Sequence, residues 1–142
     1  MHNESRRLEL YKLLGDTPDR SYKVSGKKIA EEDRGNYILK RITLDLNGIE
    51  IVPALFAKPK DAVKPTPVVL YNHCHGGLYD LGKSELINPP LTYFQSPCYA
   101  EVLTSMGYST LCIDHWCFGE RRGILDQDLF KQMLWNGQVY GE

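Results

Sequence analysis

The feature that most constrains this chain of 142 residues is an apolar run that ends abruptly in a glycine-rich loop. Residues 68–71 (VVLY) are continuously apolar, which is typical of a strand covered on both faces of a sheet. Residues 73–77 (HCHGG) follow almost at once. Consecutive glycines let a backbone turn sharply and approach a bound group closely. The sequence therefore predicts a buried strand that leads into a loop suited to ligand contact.

Composition and charge exclude several classes of protein. The net charge is −1 and the basic residues are scattered in pairs, so nucleic-acid binding is not expected. The N-terminus lacks an apolar signal segment, and no run reaches the roughly 20 apolar residues of a membrane span. We therefore expect a cytoplasmic protein without a membrane partner. In that compartment the four cysteines are expected to be reduced thiols.

The first part of the chain predicts a helix, a connection and a hairpin. A helix is expected from about Glu4 to Leu14, and residues 16–35 read as an irregular surface connection. Residues 42–46 alternate apolar and polar side chains before Asn47-Gly48, a strong hairpin turn signal. Pro53 cannot donate to a ladder, which favours a place at the sheet edge for this hairpin.

The second part predicts a strand–helix–strand unit and a final helix. After the strand at 68–71, Ser96 and Pro97 have the residue types of a helix start, and Gly107 those of a helix end. Residues 109–113 form a second buried strand, and Asp126 can cap a last helix. This order predicts an α/β fold in which an antiparallel edge hairpin precedes a parallel, right-handed βαβ unit.

Two loops, residues 72–82 and 114–123, are predicted at the carboxyl ends of the parallel strands, where open α/β sheets bind ligands. In the first loop, the backbone N–H groups of Gly76, Gly77 or Leu78 can point at a developing oxyanion. A plain tight turn is the alternative interpretation of the same glycines.

The second loop offers further polar side chains. Asp114, at a strand end, is expected to accept hydrogen bonds from backbone N–H groups and hold its loop. Trp116, Arg121 and Arg122 are candidates for a substrate pocket, since an arginine can pair with a substrate anion.

A metal site is the main rival interpretation. His73 and His75 have a spacing that suits zinc, and Asp114, His115 and Cys117 could complete the set. Neither loop repeats a tight Cys/His spacing, however, so we favour a site without a metal or any other cofactor. On that view, both histidines make contacts within the loops.

A nucleophile is harder to place. No serine lies on a glycine-flanked elbow between a strand and a helix. Cys74 beside His73 or His75 is a poor candidate, because sequence neighbours along a strand point to opposite faces.

These segments resemble the N-terminal half of an α/β-hydrolase, in the branch of dienelactone hydrolases, acetyl xylan esterases and prolyl-oligopeptidase-like enzymes. The matching segments are residues 67–77 (PVVLYNHCHGG), 99–108 (YAEVLTSMGY) and 109–123 (STLCIDHWCFGERRG). Asp114 and Gly119 fit the family's strand end and glycine-containing loop, and both are expected to be structural.

The resemblance implies a three-layer αβα sandwich and a Ser–His–Asp triad that hydrolyses carboxylic esters. Only the oxyanion loop has a counterpart here, with Gly76, Gly77 and Leu78 as donors and His75 as loop support. The triad would lie after residue 142, so the chain alone is expected to be inactive. We expect residues 1–36 to form an N-terminal helix and connection, and residues 37–142 an incomplete hydrolase domain that ends before the nucleophile strand.

Such a half-domain would leave a sheet edge with unpaired backbone groups and bare apolar side chains. Self-association, or pairing with the missing C-terminal half, is therefore expected. The complete enzyme would take a small-molecule ester. Two rivals stay open: a metal-dependent hydrolase that uses His73, His75, Asp114 and His115, and a non-catalytic α/β interaction module.

Overall fold

The computed structural model describes residues 2–13, 21–74, 76–88 and 96–137. Its helices and strands, in chain order, are α1 (His2–Leu13), β1 (Ser25–Asp33), β2 (Tyr37–Asp45), β3 (Ile51–Pro59), β4 (Val68–Leu70), α2 (Tyr99–Ser105), β5 (Ser109–Ile113) and α3 (Asp126–Asn136). Two short 3-10 helices, Gly82–Leu86 and Gly119–Arg121, precede α2 and α3 respectively.

The five strands form one sheet in the order β1-β2-β3-β5-β4. β2 and β3 are the predicted hairpin, paired antiparallel from Tyr37–Pro59 to Asp45–Ile51. β4 and β5 pair in parallel and are joined through α2, as the strand–helix–strand spacing predicts. The mixed α/β class is confirmed. The sheet is mainly antiparallel, because β3 also pairs antiparallel with β5.

The prediction of an irregular connection is wrong for Ser25–Asp33, which forms β1. This strand pairs with β2 along its length, with a register shift between Lys28 and Ala30. Most of its side chains are exposed, so the sequence carries no apolar alternation to reveal it. Backbone hydrogen bonds to β2 stabilise this segment as a strand. The predicted boundary at residue 36 therefore falls in the turn between two paired strands.

The predicted edge position of the β2–β3 hairpin is also wrong, since β3 lies between β2 and β5. Pro53 is tolerated there because of where the second ladder begins. Pro53 faces Thr43 of β2, and the pairing with β5 starts one residue later at Ala54.

β4 is not buried on both faces, contrary to the prediction. Val68 is 52% exposed and Leu70 is 71% exposed. β4 is the outermost strand on its side of the sheet in the described part of the chain. Of the described helices, α2 contacts the sheet through β2, β3 and β5, so no helix in that set shields β4.

The helix boundaries differ from prediction mainly at α2. The Ser96–Pro97 peptide bond is cis, and the helix begins at Tyr99, two residues after the predicted first residue Pro97, with Cys98 as its N-cap. Gly107 follows the helix with φ +85°, as predicted for a C-terminal glycine. The last helix is present, but Asp126 is its first residue and Leu125 its N-cap, so the predicted capping role of Asp126 is wrong. The predicted end of α1 at Leu14 lies outside the described residues.

Two apolar clusters organise the described residues. The main core lies between the sheet, α2 and the first 3-10 helix, and consists of Tyr37, Leu39, Leu55, Ala57, Leu86, Ala100 and Cys112. A smaller cluster joins α3 to the loop after β5 through Cys117, Phe118, Leu129 and Met133. Within the described ranges, no helix is both long and apolar enough to cross a bilayer.

Truncation of the main core should destabilise the fold. Leu55 is fully buried in β3, so Leu55→Ala removes apolar contacts and leaves a cavity. We expect the free energy of unfolding to fall by about 2–5 kcal/mol. Urea unfolding followed by circular dichroism measures this, with Ile49→Ala as control because Ile49 is 86% exposed. Equal effects of the two substitutions would contradict the assigned core.

Candidate active site

Two loops meet at the carboxyl ends of β4 and β5. Because these strands are parallel, the segments that follow them leave the same edge of the sheet. The N–H of Gly119 donates to the carbonyl of Tyr79 at 2.8 Å. The N–H of His115 donates to Nε2 of His73 at 3.0 Å. The two predicted loops are therefore joined by direct hydrogen bonds.

Asp114 is the centre of this junction and is completely buried. Its Oδ1 accepts the backbone N–H of Lys83 at 2.7 Å. Its Oδ2 accepts the Lys83 ammonium at 2.6 Å and the backbone N–H of Glu120 at 3.0 Å. Removing one partner of such a buried pair typically costs about 3–5 kcal/mol. Lys83 was not singled out from the sequence, because a buried lysine in a polar loop has no local signature.

Two glycines make room for this carboxylate. Gly82 has φ +46° and Gly119 has φ +50°, a left-handed conformation that other residues rarely adopt. A Cβ at either position would overlap the Asp114 carboxylate. Both loops therefore reach Asp114 only because these positions lack a side chain. Any other residue at Gly119 would clash with the Asp114 carboxylate.

His73 is enclosed at the same junction and is 6% exposed. Its ring lies 4.5 Å from that of His115 and 4.9 Å from that of Phe118, centroid to centroid. Since Nε2 accepts a hydrogen bond, the proton lies on Nδ1, which is 3.2 Å from the carbonyl of Cys74. Burial, together with the neighbouring His73 and Arg121, lowers the pKa of His115 below its usual value.

These contacts leave little room for the predicted metal set. Asp114 binds an ammonium group and Nε2 of His73 is already occupied. No group of three or more His, Cys, Asp or Glu side chains suited to a metal occurs in the part of the chain that the structure describes. His75, another residue of the predicted metal set, lies outside that part.

Glu85 is a second buried carboxylate near the end of β4, and it is 3% exposed. Its Oε1 accepts the hydroxyl of Tyr71 and its Oε2 accepts the N–H of Cys74, both at 2.7 Å. Burial and this carboxylate raise the pKa of Tyr71 above its usual value. The sequence reading also missed Glu85, whose position in a polar segment resembles that of a surface residue.

The predicted oxyanion turn lies along the chain between Cys74, which Glu85 binds, and Lys83, which Asp114 binds. Gly76 and Gly77 have φ +42° and +73°, and Leu78 is 46% exposed. None of these three residues donates a backbone hydrogen bond to another described residue. A cavity of about 340 Å³ opens beside them, lined by Gly77, Leu78, Tyr79, Asp80, Leu81 and Arg122. The role of His75 in supporting this turn stays a prediction, since His75 is not among the described residues.

A second cavity, of about 370 Å³, is lined by Trp116, Arg121 and Arg122 among others. Glu50, at the end of the β2–β3 turn, accepts the indole N–H of Trp116 at 2.9 Å and forms an ion pair with Arg121. Arg121 also donates to the carbonyl of Asp114 at 2.9 Å. The three predicted pocket residues therefore line one cavity, and Glu50 is a member that the sequence did not indicate.

The buried thiols of β5 and the loop after it are poor nucleophiles. Burial raises the pKa of Cys112 to about 12 and raises that of Cys117 above its usual value. Thiolate is the reactive form of cysteine, so neither thiol is activated for attack near neutral pH.

Comparison with known proteins identifies the architecture. A Bacteroides fragilis NCTC 9343 structure described as a "putative acetyl xylan esterase" superimposes with a TM-score of 0.73 at 18% identity, over 96% of this chain and 38% of that one. This chain carries part of an α/β-hydrolase fold. A glucuronoyl esterase from Solibacter usitatus superimposes on the same fold with a TM-score of 0.52 at 18% identity, over 79% of this chain and 35% of that one.

A sequence relative supports the same relationship. This chain is 48% identical over 134 residues to the Bacillus subtilis (strain 168) protein named "Putative hydrolase YtaP". The match covers 94% of this chain and 44% of YtaP, so the chain spans less than half the length of this relative. No family model matches the sequence.

Filling the space at Gly119 should disrupt the junction of the two loops. Gly119→Ala places a methyl group against the ion-paired Asp114 carboxylate and strains a left-handed residue. We expect a loss of about 3 kcal/mol or more in the free energy of unfolding. Gly137→Ala is the matched control, because φ there is +68° but no atom lies within 4 Å of the added Cβ. Equal losses of unfolding free energy in the two variants, measured by urea unfolding, would show that the contacts around the Asp114 carboxylate do not stabilise the fold.

His115 should make stability depend on pH. Its folded-state pKa is lowered, so the unfolded chain binds a proton more readily than the folded chain. This stability is fully present above the unfolded pKa of about 6.5 and is lost as the pH falls below it. We expect the unfolding free energy to decrease from pH 7.5 to 5.5, and to decrease less in His115→Gln. An identical pH dependence in the two proteins would contradict the assignment.

Proposed function

We propose that this chain supplies the oxyanion loop of a serine esterase-like α/β-hydrolase that acts on carboxylic esters. The observation that carries the proposal is the Gly76–Leu78 turn at the end of β4. Its three N–H groups make no hydrogen bond to any described residue, and a cavity opens beside them. The hydrolase fold and the esterase structures that share it support the ester chemistry.

In this proposal the nucleophilic serine and its triad partners belong to another part of a longer protein. Attack by the serine on an ester carbonyl places negative charge on the carbonyl oxygen. A preorganised N–H donor is worth about 3 kcal/mol in stabilising that oxyanion. Gly76, Gly77 and Leu78 are the donors, and His75 supports the turn. The reaction proceeds through a serine ester that water then hydrolyses, so it requires no cofactor.

The cavity lined by Trp116, Arg121 and Arg122 is proposed to receive the rest of the ester substrate. Arg122 lines both this cavity and the one beside the oxyanion turn. Its ion-pair partner Asp80 is highly exposed, so this pair can open to admit an acidic or hydroxylated group. Arg121 forms an ion pair with Glu50 and donates to the carbonyl of Asp114, so in this proposal it forms part of the cavity wall.

We further propose that β4 joins either the remaining half of the hydrolase domain or a second copy of this chain. The apolar side chains of Val68 and Leu70 are exposed there, and β5 is the strand that pairs with β4 in the described sheet. On this view residues 37–142 are an incomplete hydrolase domain. All four cysteines lie in the described ranges and are thiols, which is consistent with a cytoplasmic location.

Reconstitution tests this function. We define the reconstituted complex as this chain co-expressed with the part of YtaP that lies outside the matched 134-residue segment. The complex should hydrolyse p-nitrophenyl acetate and be inhibited by a fluorophosphonate, whereas the chain alone should do neither. Hydrolysis by the chain alone, fluorophosphonate labelling of this chain, or an inactive complex would each overturn the proposal.

A substitution in the turn tests the oxyanion role itself. A β-branched residue cannot easily keep the φ of +73° at Gly77. Gly77→Val should therefore misplace the N–H donors and lower kcat of the reconstituted complex by about 100-fold. Gly107→Val is the matched control, because Gly107 has a similar φ of +85° at the distant end of α2. If both variants keep the parent kcat, the turn does not bind the oxyanion.

A further inference from the structure

A hydrogen bond to a buried carboxylate holds the chain on each side of the oxyanion turn. Before the turn, the N–H of Cys74 donates to Oε2 of Glu85 at 2.7 Å. After the turn, the N–H of Lys83 donates to Oδ1 of Asp114 at 2.7 Å. Lys83 and Glu85 belong to the same 3-10 helix, Gly82–Leu86. This short helix therefore holds the chain before the turn through Glu85, and Asp114 holds the helix itself after the turn.

Contacts on both carboxylate oxygens hold the Glu85 side chain in place, so that it can fix the position of Cys74. The hydroxyl of Tyr71 occupies its other oxygen at 2.7 Å, and the side chain is almost completely buried. Hydrogen bonds to a carboxylate are shorter and stronger than those between neutral groups. Cys74 lies two residues before Gly76, so its bond to Glu85 sets the direction in which the chain enters the turn.

A packing role alone does not account for a carboxylate here. Burying a charged group opposes folding unless hydrogen bonds compensate for its lost hydration. An apolar side chain would fill the space without that cost, as Leu86 does one residue later in the main core. The carboxylate adds something that an apolar residue cannot, namely an acceptor with a fixed position for the N–H of Cys74.

We propose that Glu85 is a positioning residue for the oxyanion turn, acting through the backbone N–H of Cys74. This inference rests on the proposed function of the Gly76–Leu78 turn. Glu85 itself does not touch the substrate. Its loss should weaken stabilisation of the transition state while leaving substrate binding largely intact, because the cavity beside Trp116 is lined by other residues.

The kinetic test uses the reconstituted complex, with active sites counted by fluorophosphonate titration. Glu85→Ala should lower kcat at least about 10-fold and change KM by less than about 3-fold. Glu85→Gln should keep kcat within about 3-fold of the parent, since an amide oxygen can still accept the N–H of Cys74. Glu31→Ala, on the exposed face of β1, is the matched control and should leave kcat unchanged.

An exchange experiment tests the same idea without activity. Amide hydrogen exchange at Cys74, whose N–H donates to Glu85, should become on the order of 10-fold faster in Glu85→Ala and stay unchanged in Glu85→Gln and Glu31→Ala. If Glu85→Ala fails to assemble, Glu85→Asp replaces it. That variant keeps the charge but shortens the reach to Cys74, so kcat should again fall and exchange should again accelerate.

The outcomes separate this inference from the proposed function. Unchanged kcat and exchange in Glu85→Ala, or equal damage from Glu85→Ala and Glu85→Gln, would overturn the positioning role. An unsubstituted complex without esterase activity would overturn the proposed function instead. In that case, faster exchange in Glu85→Ala would still support Glu85 as the anchor of the turn, and unchanged exchange would overturn it.

Discussion

The buried Asp114 carboxylate is the interaction on which the candidate site depends. It lies where β5 ends, and it binds both the backbone N–H and the ammonium group of Lys83 from the preceding loop. A carboxylate without hydration needs several such partners, and Gly82 and Gly119 let two backbones come close enough to serve it. The two loops that follow the parallel strands are thereby held together as one surface.

This surface has two buried carboxylates with different tasks. Asp114 joins the two loops to each other, while Glu85 fixes the exit from β4 through Tyr71 and Cys74. The glycine turn lies between Cys74 and Lys83, the residues these carboxylates bind, and its N–H groups make no backbone hydrogen bond in the described chain. Donors held in fixed positions stabilise a transition state effectively, since they need not reorganise during the reaction.

The sequence predicted the parts of the fold that rest on local rules. Asn47-Gly48 indicated the hairpin, the spacing of residues 68–113 indicated the strand–helix–strand unit, and Gly107 indicated a helix end. The errors arose where pairing with distant residues decides the outcome. β1 is a strand because its backbone pairs with β2, although its own side chains are mostly exposed. The exposure of β4 likewise depends on which distant elements pack over it, and the apolar pattern of residues 68–71 carries no information about that.

The sequence by itself determined that glycines, histidines and acidic residues would gather at one edge of an α/β sheet, because strand ends and turns follow from nearby residues. Only the tertiary structure decided which of those side chains meet. Lys83, Glu85 and Glu50 look like solvated surface residues in sequence, yet they supply the ion pairs and hydrogen bonds of the site. Their roles depend on partners roughly 10 to 70 positions away, and burial, not residue type, gives those contacts their strength.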